Sequence, residues 1–118
     1  MRLTDDIIPM KIVRIGALLK RLKRINDEIR YAACFESRHF TSGLIAFRHS
    51  PMSKTQQIKH TDKDVVCHVI EGTGRLRVGR RRFQLHPGTL CHIPKNTPHD
   101  FVATKSAKLI LFYSLIES

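Results

Sequence analysis

Seven histidines in a chain of 118 residues put imidazole chemistry first, because a neutral ring nitrogen is the commonest protein ligand for transition metals. His39 and His49 precede the strand-like segments and His86 adjoins Pro87 in a turn, so these three read as solvated side chains. His60 and His99 stand apart, each at a fixed point in a longer pattern. The dipeptides Cys67-His68 and Cys91-His92 offer, on paper, a zinc set of two thiols and two imidazoles. Successive strand residues face opposite sides of a sheet, so each dipeptide should send one residue inward and its neighbour outward, and the set is not expected to close. Carboxylate pairs of the glycosidase type and nucleophile elbows are absent, and Gly72, Gly74 and Gly79 do not space as a phosphate-binding G-x-G-x-x-G loop.

The longer pattern is G-x5-P-x-G-x2-H-x3-N, which this chain meets with Gly88, Pro94 and His99. Asn96 replaces the inner glycine, a mild exchange because Asn best tolerates a left-handed turn conformation, and Ala103 stands in place of the final Asn. Upstream, the segment from His60 to Val69-Ile70-Glu71-Gly72 has the strand ending of the companion motif, G-x5-H-x-H-x3–4-E-x6-G. The chain thus resembles the cupin superfamily, small jelly-roll β-barrels, over about residues 38–118. The resemblance implies three imidazoles and one carboxylate around divalent iron, manganese, nickel or zinc. With Gly72 closing the first motif, His60 and His99 remain, while Ile58 and Val65 occupy the other two ligand positions; Gln57, Asp62 and Asp64 are then the candidate supplements. A register ending on Gly74 instead places His60, Asp62 and Cys67 with His99 as a full donor set. The resemblance also implies a barrel lined by Phe47, His60, His99, Phe101 and Phe112, with the three phenylalanines as ligand contacts.

These residues need strands to hold them. Short apolar runs at Gly43–Phe47, Val65–Ile70, Leu76–Val78, Phe83–Leu85, Leu90–Ile93 and Leu109–Leu115 recur between Gly and Pro, which predicts an all-β, antiparallel sandwich or barrel. Arg75-Leu76-Arg77-Val78 alternates at period two, which sends the arginines to water and Leu76 and Val78 to the core. Gly79 to Arg81 then reads as a hairpin turn into Arg82-Phe83-Gln84-Leu85, with Phe83 and Leu85 inward. Before the strands, Ile12, Ile15, Leu19, Leu22, Ile25 and Ile29 recur at steps of three and four among Lys20, Arg21, Lys23 and Arg24, the pattern of a basic amphipathic helix. The expected organisation is a basic amphipathic extension over 1–37 and a cupin barrel over 38–118.

Twenty-one Lys and Arg against ten Asp and Glu give a net charge of +11, spread as +4 over residues 1–30 and +7 over 31–118. Such a charge concerns partners and solubility rather than fold. The arginine-rich hairpin and the basic N-terminal segment permit contact with nucleic acid or a membrane surface, but no stacking aromatics accompany them, so solvated faces are preferred. Three cysteines, an odd number with no C-x-x-C spacing, read as reduced thiols. Asp5, Asp6 and Arg14 break up the N-terminal apolar residues, so no secretory signal is expected and the cytoplasm is the default compartment. A small barrel with an apolar strand at Leu109–Leu115 suggests a homodimer. Three functions follow: a metal-dependent dioxygenase or isomerase, as the resemblance implies; a metal-free barrel binding a small, anionic ligand; or a protein or nucleic-acid interaction module.

Overall fold

The computed structural model describes residues 10–49, 62–105 and 107–117. One short helix, α1 (Ile15–Leu19), precedes nine strands: β1 (Lys23–Arg24), β2 (Ile29–Glu36), β3 (Phe40–Arg48), β4 (Lys63–Gly72), β5 (Gly74–Val78), β6 (Arg81–Leu85), β7 (Leu90–Ile93), β8 (His99–Ala103) and β9 (Lys108–Glu117). They form a six-stranded sheet in the order β1-β2-β3-β9-β4-β7 and a three-stranded sheet in the order β6-β5-β8. Every paired neighbour is antiparallel, so the molecule is an all-β jelly roll with a short N-terminal helix.

Alternation along the strands sorts side chains into two cores. Phe47, Val65, Cys67, Val69, Leu109 and Leu111 of the large sheet meet Leu76, Leu85 and Ala103 of the small one between the sheets. On the outer face of the large sheet, Leu18 of α1 packs with Ala32, Cys34 and Leu44. Burying a leucine in this way stabilises by about 1.5–3 kcal/mol, which is what holds so short a helix, since isolated helices below about 12 residues are marginal in water.

The helical reading of 12–29 is therefore corrected. The helix ends at Leu19, and Ile12, Ile15 and Ile25 of the apolar stripe are exposed. The cause is local: the Asn26 side-chain oxygen accepts hydrogen bonds from the Glu28 and Ile29 amides at 2.8 and 2.9 Å, and the Ile25 amide donates to the Ile29 carbonyl at 2.9 Å. An Asx turn competes with helical hydrogen bonding and turns the chain into the β1–β2 hairpin. Strand β2 then pairs with β3 from Ile29 to Glu36, which brings residues assigned by sequence to the N-terminal extension into the main sheet. The strand Leu109–Leu115 is likewise not an open edge, because β9 is hydrogen-bonded to β3 on one side and β4 on the other.

Two glycines hold the turns that set register. A Cβ at Gly72 (φ +85°) would lie 1.5 Å from the Lys108 carbonyl oxygen, so β4 and β9 approach closely only with glycine there. Gly88 (φ +90°) follows Pro87 in a turn closed by the Thr89 amide on the His86 carbonyl, and Gly88 and Thr89 together oppose Val69 as a bulge. Asn96 takes φ +65°, the left-handed conformation for which Asn is the best substitute for glycine.

The small sheet is tied by an ion pair that the period-two reading of the arginines missed. Arg77 lies opposite Asp100 in the β5–β8 register; its Nε donates to Asp100 Oδ1 at 2.7 Å and its Nη2 to Oδ2. Asp100 is buried, and the bond raises the Arg77 guanidinium above its ordinary pKa. Within the core between the sheets, Cys67 and Cys91 face each other across β4 and β7 as free thiols, and burial with the neighbouring Cys91 pushes the Cys67 thiol up to about 12.

Two expected outcomes follow from this packing. Asp100→Asn lowers the free energy of unfolding in urea by about 1.5–3 kcal/mol, the cost of losing a charge-assisted pair, and a loss below about 0.5 kcal/mol would show the pair to be ornamental. The Cys67 thiol ionises in the unfolded chain near its ordinary 9.0 and in the fold near 12, so its contribution is full below pH 9 and declines from pH 9 to about 12. Cys67→Val therefore makes the alkaline fall in stability shallower; an unchanged slope in pH-dependent unfolding would contradict that assignment.

Candidate functional site

The inner face of β8 carries His99, Phe101 and Ala103, opposite Val78, Leu76 and Gly74 of β5. His99 is 3% exposed, and its Nδ1 donates to the Thr97 carbonyl oxygen at 2.8 Å. A carbonyl can only accept, so the proton resides on Nδ1 and the lone pair of the neutral ring on Nε2. The turn that delivers this geometry runs from Pro94 to Pro98 and hinges on the left-handed Asn96. The His99 ring stands edge-on to Phe101 with centroids 6.0 Å apart, and Phe101 leans on Phe47 at 5.4 Å. His99, Phe101 and Phe47 are thus one continuous wall formed by β8 and β3.

Beside that wall, a cavity of about 460 Å³ opens between the edges of β6 and β7. Leu76, Val78, Leu85, Cys91 and Ile93 line it, with Gln84, Thr89, His92 and Thr97 as its polar groups; His99 and Phe101 do not line it but pair with Val78 and Leu76, which do. Phe83 forms part of its mouth, 40% exposed rather than packed inward with Leu85, and the Arg81 guanidinium sits over its ring at 5.0 Å. Arg75, Arg80, Arg81 and Arg82 are exposed, whereas Arg77 is engaged by Asp100. The volume suits a small molecule, and the lining is mostly apolar with a few polar groups, as in small-molecule sites generally.

The other sequence candidates are distributed as follows. His60 and Gln57 lie outside the described residues. Asp62 is exposed at the start of β4. Asp64 faces the outer side, where its carboxylate accepts from the Lys95 amide at 2.9 Å and lies 3.5 Å from His92 Nε2. Cys67 points inward, buried and held as a thiol. Phe112 is placed on the opposite face of the large sheet, with the cluster around Leu18 and Leu44. The split of the two Cys-His dipeptides expected from alternation is found: Cys67 and Cys91 pack in the inner core while His68 and His92 are exposed. Among the described residues, no three His, Cys, Asp or Glu side chains come together as a metal centre. The Arg77–Asp100 pair and the Cys67–Cys91 facing both depend on strand pairing between distant segments, for which local pattern holds no signal.

Among the described residues, no helix is long and apolar enough to cross a membrane. No curated protein sequence matches the chain. Solved structures match its fold. A predicted oxalate decarboxylase from Thermotoga maritima superposes with a TM-score of 0.78 at 13% identity, covering 92% of this chain and 100% of that one. A Thermus thermophilus protein gives 0.73 at 25% identity, covering 92% and 98%. The KdgF protein of a Halomonas species gives 0.69 at 15% identity, covering 82% and 86%. Residues 48–114, more than half of the chain, match the family model of the cupin domain. With the Gly88–His99 motif running from the turn before β7 to the first residue of β8, the chain belongs to the cupin family.

Proposed function

We propose that this cupin binds a small, anionic molecule between its sheets at His99, next to the cavity lined by Leu76 and Val78, with His99 as the polar contact and Phe47 and Phe101 as the apolar flank. The observation that carries the reading is the buried His99, oriented by its bond to the Thr97 carbonyl and set on an inner face that is otherwise apolar. Such a ring accepts a hydrogen bond at Nε2 when neutral and donates there when protonated, so it matches an acid in either protonation state. The net charge of +11 raises the local concentration of anions around the molecule.

The same orientation favours a second reading, in which a divalent iron, manganese, nickel or zinc ion is held at His99 Nε2. Imidazoles that bind metals commonly donate their other N–H to a backbone carbonyl, as His99 does. The donor chemistry of the described residues fits only in part. Cys67 is kept protonated by burial and Asp64 is turned to the outer face, so the remaining donors are assigned to His60 and Gln57, with Asp62 as a supplement. A metal there would supply Lewis-acid or oxygen-activating chemistry, the basis on which a dioxygenase or isomerase activity would rest. A homodimer completes the proposal. Val66, Leu90 and Ile116, 40%, 74% and 38% exposed, lie on the outer face of the large sheet beyond the cover of α1.

Native mass spectrometry and elemental analysis of untagged, unchelated protein test both readings. A co-purifying small molecule lost in His99→Ala, without metal, is the expected result. Near-stoichiometric metal that disappears in a His60→Ala/His99→Ala double variant transfers the assignment to the second reading. Neither ligand nor metal, even after soaking with each ion, overturns both. Light scattering at high micromolar concentration should give twice 13.6 kDa, and a monomer would remove the dimer.

A further inference from the structure

A second cavity, of about 450 Å³, lies on the outside of the large sheet, where the segment after α1 and the β1–β2 hairpin overhang β3 and β9. Its walls include Leu19 and Leu22 from above and Ile110 from β9 below. Four cations line it, Lys20, Arg30, Arg48 and Lys108, against Asp27, Glu28 and Glu71. Asp27 is committed to Arg24, which leaves two carboxylates for four cations. Among the described residues, none of the four cations forms an ion pair.

The strand register shows what this costs. Arg48 and Lys108 are direct partners across β3 and β9, so their side chains leave the sheet on one face, side by side. Like charges directly opposite one another destabilise a sheet, whereas an anion between them would accept charge-assisted hydrogen bonds from both. Arg30 lies opposite Ala46, the next outward residue of β3, and Lys20 follows α1 on the overhanging wall, so the cations face the site from three strands, β2, β3 and β9, and from the end of α1. The apolar residues Leu19, Leu22 and Ile110 sit beside the charged row rather than beneath it in the inner core.

We propose that this outer cavity is a binding site, separate from the site proposed at His99 between the sheets, for a small amphipathic organic anion. Its carboxylate or phosphate sits between Arg48 and Lys108, and its hydrocarbon portion lies against Leu19, Leu22 and Ile110. The preference for such a ligand over a bare ion comes from that apolar wall, because each buried CH₂ adds to affinity while the head group alone pays the full cost of immobilisation.

Amide chemical shifts of the full chain, followed during titration with octanoate, octyl phosphate, acetate and inorganic phosphate at constant ionic strength, test the site. Octanoate or octyl phosphate should give saturable shifts at residues 46–48 and 108–110, about tenfold or more tighter than acetate or inorganic phosphate, and which of the two binds better identifies the head group. Arg48→Gln/Lys108→Gln should weaken that binding by about tenfold or more while leaving the shifts of His99 and Phe101 unchanged. Both side chains are exposed; should the pair fail to fold, Lys20→Gln on the opposite wall carries the same expectation. Non-saturating shifts, equal affinity for acetate and octanoate, saturation unaltered by the substitutions, or shifts confined to the inner cavity at Leu76 and Ile93 would each overturn the proposal.

Discussion

The fold turns on the placement of β9 between β3 and β4. Residue by residue it pairs with Phe40–Arg48 on one side and Lys63–Gly72 on the other, and so joins the N-terminal strands to the half of the molecule that carries the His99 motif. Its register against β4 depends on one close approach, the Gly72 backbone against the Lys108 carbonyl, where any side chain would collide. A slip of β9 by one residue would exchange its two faces. Leu109 and Leu111, now fully buried between the sheets, would then lie outside, and Lys108 and Ile110 would be driven in.

That register creates two environments on one sheet. Inward, the pattern delivers an apolar lining broken by a histidine and a pair of protonated thiols; outward, it delivers α1 over an apolar patch and then a row of charges. Phe47 belongs to both, its ring against Phe101 in the inner core and its residue part of the wall of the outer cavity. The inner pocket has few polar groups, so each one present has a large effect on what can bind.

How far the sequence could be read depended on the range of the interaction. Period-two alternation placed Leu76 inward and split each Cys-His dipeptide across its sheet, because the alternation of faces along a strand is a local property. The left-handed Asn96 was legible for the same reason, and the motif from Gly88 to His99 carried the family. In the segment from Ile12 to Ile29 the short helix is present but ends at Leu19, because the apolar spacing fits a longer helix while the Asn26 side chain favours a turn, and periodicity weighs apolar residues only. Phe112 failed differently: its strand was recognised, but which face met the core depended on a register set by residues forty and more positions away. The site itself was half legible, since His99 is fixed by its own turn whereas its partners come from other strands.

The distribution of charge follows from the same geometry. A cation in a strand can be neutralised only by what the register sets opposite or diagonal to it. Arg77 meets Asp100 and is bound by two hydrogen bonds; Arg48 meets Lys108 and is not. Both arginines stand in strands of comparable alternation, so the sequence around them does not distinguish them; the partner strand does. In a chain with more than two basic residues for each acidic one, most cations must go without an internal partner, and where the register sets two of them side by side, as with Arg48 and Lys108, their repulsion is left for solvent or a bound anion to offset.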